Sequence, residues 1–530
     1  MKVHTMRRMA WFGLAASVAA VSAQKADQPG RYWWHTVQVL ADDNMEGRLT
    51  GSDGYRRAAD YVAAEFKKNG LQPAGMDGFF QPVKFDVQRV LAGQSKVRLT
   101  GGGPLTLGQD LILGSRLPQP KTISAPLVFA GYGLHIPSMG YDDFQGLDLK
   151  GKIIVSVSGG PADIPGPIKS SSRAAQEMIP FLEARGVVGT ISIPNPKSMD
   201  IPWSRMALSA SQPGMRIADS DLQDSRGPMF TAVFNPEGAE KLLAGSGHSL
   251  RDLLALADAG KPVPAFPLKE TIEAQVVTET EAVESPNIAG VLPGSDPQLK
   301  DEYVVFSAHL DHLGIGDPIH GDKIYNGAMD DASGVASELE VARELHINGA
   351  NLKRSVLFLV VCGEEKGLLG SRYFVARPTV ARDRIVADLN TDMFLPLYPL
   401  KDLVVYGGDE SSLGPELTAV AAAAGVKVIP DRQPDRNIFI RSDQYNFIRA
   451  GVPAVMPAFG SEQGSQEEKT QMEWLSNRYH APSDDVNQPV DLAAAAEFNR
   501  IMRAFLEKVA NDSQRPAWNA SSSFKRFAAH

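Results

Sequence analysis

"SVLFLVVCGEEKGLLGSRYFVAR", residues 355–377, is the stretch on which the reading of this chain turns. Six apolar residues run from Val356 to Val361, too short for a core helix and rich in β-branched valine, so they read as a buried strand. The run ends in Cys362, Gly363 and two adjacent acids, Glu364 and Glu365, and from Gly367 a helical stretch begins. The same unit recurs on both sides. "YVVFSAHLDH" (303–312) is a strand followed by the helix "ASGVASELEVARELH" (332–346), and "RIVADLNTDM" (384–393) is another strand. Further strands are expected at "LVVYGG" and "VPAVMPAF", with helices near Leu413–Ala424 and Ser442–Ala450, and "LAAAAEFNRIMRAFLEKVA" closes the domain. Apolar strands alternating with helices predict an α/β fold whose central sheet is mostly parallel and covered by helices on both faces.

In such sheets ligands bind outside the carboxyl ends of the strands. Here those ends carry His309 and Asp311, then Glu364 and Glu365, then Asp392. Asp330 and Asp331 in "YNGAMDDASG" and His480 in "NRYHAPSDD" can join them from loops. Asp331, just before a helix, also suits an N-cap. Carboxylates converging on one low-dielectric crevice repel one another unless cations neutralise them. Two histidines and several carboxylates without a thiolate suit catalytic zinc, with Co2+ or Mn2+ as substitutes. His309 and Asp311 lie two apart and face the same side of an extended strand, so the Asp311 carboxyl is expected to orient the imidazole. Either glutamate could bind metal while its neighbour carries protons. Cys362, inside the apolar run, reads as a small buried hydrophobe rather than a nucleophile.

The rest of the chain frames this unit. The 530 residues are 43% hydrophobic and 22% charged, an ordinary globular balance for two or three domains. Lys2, Arg7 and Arg8 precede an apolar run ending in Val21-Ser22-Ala23, which reads as a signal peptide (1–23) cut after Ala23. A periplasmic or secreted location without stable membrane insertion is therefore expected, and a single cysteine excludes an internal disulfide there. A net charge of −9 without a basic block argues against nucleic acid. Two helices, around "YWWHTVQVLADD" and "YRRAADYVAAEFKKNG", flank the loop "NMEGRLTGSDG" in residues 24–119. An inserted mixed α and β domain is expected over 120–267 and the catalytic domain over 268–512, with a frayed tail at 513–530.

The motifs "SAHLDHLG", "NGAMDDASGVA", "CGEEKGLLGS", "LNTDM" and "YHAPSDD", in this order, resemble the co-catalytic di-zinc aminopeptidases, which include bacterial leucyl aminopeptidase and glutamate carboxypeptidase II. "VFAGYGL" and "YDDFQGLDLKGKIIV" are similar to a protease-associated domain. The resemblance implies two Zn2+ ions, one held by His309 and Asp392 and the other by Glu365 and His480, with Asp330 bridging. It implies Glu364 as general base and acid, Asp311 behind His309, and Tyr479 as a hydrogen-bond donor to the tetrahedral intermediate. In "RSDQYNF" relatives often have His where this chain has Gln444, which bears on nearby substrate contacts. The implied activity is removal of N-terminal residues from peptides. Carboxypeptidase or dipeptidase action, with Arg205, Arg436 or Arg441 gripping a carboxylate, is the alternative on the same scaffold. A glutaminyl cyclase and a non-catalytic binding protein of the transferrin receptor kind rank behind these.

Overall fold

The computed structural model describes residues 29–529 except 200, 434, 435 and 437, so the signal peptide expected at 1–23 lies outside the described residues. Its centre is a parallel block of four strands: β1 (Tyr303–His309), β2 (Ser355–Val361), β3 (Ile385–Asn390) and β4 (Ala454–Phe459), in the order β2-β1-β3-β4. Tyr303 is opposite Ser355 and His309 opposite Val361, so the ends of β1 and β2 are level. Beyond the block the sheet continues with antiparallel neighbours, Thr278–Leu292 beside β2 and Asp402–Tyr406 beside β4.

Every residue of β2 is buried, because alternate side chains enter different cores. Val356, Phe358 and Val360 pack with Val335 and Leu339 of α1 (Ser333–Ile347) and with Phe498 and Phe505 of α3 (Leu492–Asn511). Leu357, Leu359 and Val361 pack on the other face with Phe374 of α2 (Leu369–Ala376) and with Phe447. The N-terminal helix Asp53–Lys68 adds to the first face. It starts at Ser52, whose hydroxyl accepts from the Tyr55 amide, and its last turn carries Lys67 and Lys68, which suit the helix dipole.

A second, eight-stranded sheet draws its strands from Lys96–Leu99 through Ala265–Gln275. The boundaries expected at 120 and 267 therefore need correction: strands 96–99, 103–105 and 111–113 precede the first, and the second falls within a strand. Short strands in Gly-rich sequence at 96–113 lack the hydrophobic periodicity that would have marked them. The two sheets are joined by the long antiparallel ribbon of Phe80–Val90 and Thr278–Leu292, which leads out and back, and Gly214–Ile217 returns to pair with Phe85–Gln88. The expected frayed tail also needs correction. Trp518 donates from its indole to the Gly451 carbonyl at 2.9 Å, and Phe524 is fully buried against Phe439. Among the described residues no helix is long and apolar enough to cross a membrane.

Candidate metal centre and active site

The level ends of β1 and β2, and the end of β3, whose Asn390 lies opposite Ser307, bring their polar residues to one crevice. His309 is the last residue of β1, Glu364 and Glu365 turn off the end of β2, and Asp392 follows β3. The loop before α1 adds Asp330, and the loop after helix Gln466–Asn477 adds His480. The His309 Nε2 lies 3.3 Å from Asp330 Oδ1 and 3.6 Å from Asp392 Oδ1. On the other side of Asp330, His480 Nε2 lies 3.3 Å from Asp330 Oδ2 and 3.3 Å from Glu365 Oε2. All five residues that the resemblance names as ligands are thus together, with Asp330 in the middle.

The loop carrying Asp330 is held by groups behind it. The Asp484 carboxylate accepts from the amides of Met329 at 3.0 Å and Asp330 at 3.1 Å, and from the Gln488 amide at 2.6 Å. Burial, the largest cause, pushes Asp484 up to about 6. Asp331 is fully buried and accepts from the Gly334 amide in the first turn of α1 at 2.9 Å. Arg48, fully buried, donates to the carbonyls of Leu310, Leu40, Asn326 and Gly327 at 2.6–2.8 Å. It thereby ties the loop leaving β1 to the segment that leads into Asp330.

Asp311 departs from its expected contact. The His309 Nδ1 meets the main-chain carbonyl of Asp311 at 3.0 Å, and this assigns the ring proton to Nδ1 and leaves Nε2 as the lone-pair donor facing the crevice. The Asp311 carboxylate instead accepts from the amides of Glu364 at 3.0 Å and Glu365 at 3.3 Å. A strand that turns immediately after His309 brings the carbonyl closer to the ring than the side chain. Tyr479 lines the same crevice and its ring lies 3.9 Å from that of His480. Burial, first, and then the Asp330 carboxylate raise its phenol well above the usual value, so it is a neutral O–H donor.

Cys362 is fully buried in the core, and burial raises its thiol well above the ordinary range. Gln444, also fully buried, accepts from Asn390 at 2.8 Å and donates to the Phe439 carbonyl at 2.9 Å, so its amide is engaged inside the fold. Arg205 donates to the main-chain carbonyls of Tyr479, at 2.9 Å, and Ser476, which fixes the loop that carries His480.

His312 was not among the predicted ligands. It is fully buried, and its Nδ1 is 2.6 Å from Glu365 Oε1 and 3.7 Å from Asp330 Oδ2. Despite that approach, neither ring nitrogen of His312 nor Glu365 Oε1 has a hydrogen-bond partner among the described residues. Buried polar atoms converging without hydrogen-bond geometry are the arrangement a cation satisfies. Two donor groups, His309–Asp330–Asp392 and His312–Asp330–Glu365, each have their ligand atoms within 4.8 Å of one another, and Asp330 belongs to both. The signal for His312 was present in "SAHLDHLG", but a third histidine one residue after Asp311 gains meaning only when the strand end turns. The electrostatics point the same way. Burial opposes charge on the imidazoles, yet Glu364, Asp330 and Asp392 raise His309 well above its usual value, and Glu365 and Asp330 lift His480 to about 10. Carboxylates that act on their neighbouring imidazoles in this way set up a negative field that a bound cation would neutralise, leaving the rings as neutral donors. Nitrogen and oxygen donors without sulfur fit a catalytic zinc site.

Residues 287–506 match Peptidase family M28. A probable leucine aminopeptidase 2 of Aspergillus fumigatus is 31% identical over 215 residues, 38% of this chain and 39% of that protein, so the chain spans about two-fifths of this relative's length in the match. A probable lipoprotein aminopeptidase of Mycobacterium tuberculosis is 25% identical over 85% of this chain and 78% of its own length. The solved structure of an aminopeptidase from Aneurinibacillus sp. strain AM-1 superposes with a TM-score of 0.55 at 18% identity, covering 92% of this chain and 95% of that one, which shows a shared fold. The segment that carries all five motifs is thus the one that matches peptidase family M28.

Proposed function

We propose that this protein is an exported zinc aminopeptidase that hydrolyses N-terminal residues from peptides. The observation that carries the reading is Asp330, shared between two donor groups, with Glu364 beside them. His309 and Asp392 would hold one ion and Glu365 and His480 the other, with Asp330 offering a carboxylate oxygen to each side. Such ions, when bound, lower the pKa of water from about 15.7 towards roughly 7 and polarise the scissile carbonyl.

Glu364 moves the proton. It takes a proton from the attacking water and returns it to the leaving amine; with no cation beside it, burial first, and then the Glu365 and Asp392 carboxylates, raise its carboxyl well above the usual range. The Asp311 carboxylate holds the backbone of Glu364 and Glu365, and its main chain orients His309. Tyr479 donates to the oxygen that gains charge as the carbonyl is attacked. A cavity of about 190 Å3 beside Glu364 and Asp392, walled by Met393, Leu395, Val404, Met456 and Phe459, takes an apolar N-terminal side chain. The region around the second sheet serves as a protease-associated domain over one side of the crevice. Export rests on the leader at residues 1–23.

Two measurements test the reading. Glu364→Gln is expected to keep the zinc of the wild type and lose about 10²–10⁴ in kcat; near-normal turnover would end the assignment of the base. A peptide with a free α-amine should be cleaved and its N-acetylated form spared. The reverse preference would move the protein to the carboxypeptidase alternative.

A further inference from the structure

A second cavity, of about 410 Å3, opens on the Glu365 side of the donor cluster, between the catalytic domain and the inserted region. Glu365 and His480 belong to its wall, and Arg116, Arg205 and Lys366 make it basic. Two of these cations are already engaged. Arg116 pairs with Asp224 at 2.7 Å, and its guanidinium lies so close to Gly367 that a Cβ there would stand 2.4 Å from Nη1. Arg205 is spent on the carbonyls of Ser476 and Tyr479.

Lys366 differs. It is 8% exposed, and among the described residues its ammonium makes neither a hydrogen bond nor an ion pair; Glu365 and Asp311 act on it only through space. Other buried cations here are satisfied within the fold: Arg48 by four carbonyls, Arg354 by Glu302 at 2.7 Å. Buried charges are almost always paired, and an ammonium lining a cavity finds its partner in what fills the cavity. The two cavities flank the donor cluster, one sharing Glu364 and Asp392 with it and the other Glu365, while both touch His480. A peptide whose scissile bond lies at the cluster thus extends its N-terminal residue into one and its leaving portion into the other.

We propose that the second cavity is the subsite for the leaving portion of a short peptide and that Lys366 pairs with its C-terminal carboxylate, so that the substrates are dipeptides and tripeptides with a free C-terminus. This rests on the aminopeptidase reading and deepens it. Lys suits the task as a compact point charge with three donors.

The test uses the zinc-loaded full chain with Leu-Ala, its amide Leu-Ala-NH2 and leucine p-nitroanilide. Wild type is expected to favour Leu-Ala over Leu-Ala-NH2 by at least about tenfold in kcat/KM, mainly through KM, as loss of one charge-assisted bond implies. In Lys366→Met that preference should fall to about 1, and Lys366→Arg should restore part of it. Independently of turnover, L-alanine should stabilise the wild type against heat more than alaninamide does, and Lys366→Met should erase the difference. Equal use of acid and amide by the wild type overturns the proposal while leaving the aminopeptidase reading standing. Failure to cleave any of the three substrates removes the aminopeptidase reading, and the proposal with it. If Lys366→Met instead loses zinc and slows acid and amide alike, Lys366 supports the metal site and the carboxylate assignment is overturned.

Discussion

Replacing Arg48 by methionine should destabilise the catalytic domain and loosen its metal centre, although the Arg48 side chain hydrogen-bonds to main-chain carbonyls and to no donor side chain of the centre. The side chain is fully buried and donates to four carbonyls, two of them flanking the ligand loops: Leu310, next to His309, and Gly327, three residues before Asp330. Burial lowers its pKa to about 10, which leaves it charged at neutral pH. A hydrogen bond from a charged donor is worth about 1.5–3 kcal/mol, so four sum to about 6–12 kcal/mol. Against this stands the desolvation of the guanidinium, a cost of several kcal/mol that the variant no longer bears. The net expectation is a loss of about 3–5 kcal/mol, since methionine fills the volume but leaves the carbonyls without donors. For a unit of this size that lowers the thermal midpoint by about 6–20 °C. Thermal unfolding followed by circular dichroism reads the stability, and zinc competition against a chelator reads the site. An unchanged midpoint with undiminished zinc affinity would show that the loops hold themselves and that the four bonds contribute nothing net.

Two more predictions follow from buried pairs. His312→Asn should weaken zinc binding by about 10–100-fold, the usual cost of losing a partner at a metal site, read by chelator competition; equal affinity would remove His312 from the centre. Glu302 pairs with the fully buried Arg354 at 2.7 Å and with Arg515 at 2.8 Å, and although burial acts to raise it, these bonds hold its carboxyl below the usual range. Its contribution is present above the ordinary glutamate pKa and is lost as pH falls through the depressed value, so wild-type stability should drop on acidification below about pH 4.3. Glu302→Gln should cost about 3–5 kcal/mol at pH 7 and flatten that acid limb in denaturant titrations; an unaltered pH slope would place the acid sensitivity elsewhere.

Much of this architecture is legible along the chain because it depends on local pattern. The apolar run from Val356 to Val361 is a strand buried on both faces, and the helices at 53–68, 333–347 and 492–511 fall where apolar spacing indicated. Polar residues at strand ends project into the crevice because parallel strands with level ends leave them nowhere else to go. The misplacements have equally local causes. The strands 96–113 are short and Gly-rich, and the tail 513–529 carries Trp518 and Phe524, two aromatics too few to form a periodic signal yet enough to anchor it.

What sequence alone determined is therefore the order of the strands and helices around β1, β2, β3 and β4, and through the resemblance it marked His309, Asp330, Glu365, Asp392 and His480 as candidate ligands. Periodicity is a property of neighbours in the chain, and it survives without coordinates. Only the tertiary structure decided that Asp311 reaches His309 through its carbonyl, that His312 meets Glu365, that Arg48 joins two ligand loops, and that Lys366, in a basic cavity, has no partner among the described residues. Each of these depends on angstrom-scale distances between segments far apart in sequence, set by how the strand ends turn and how the second domain folds back over them, and no spacing along the chain encodes them.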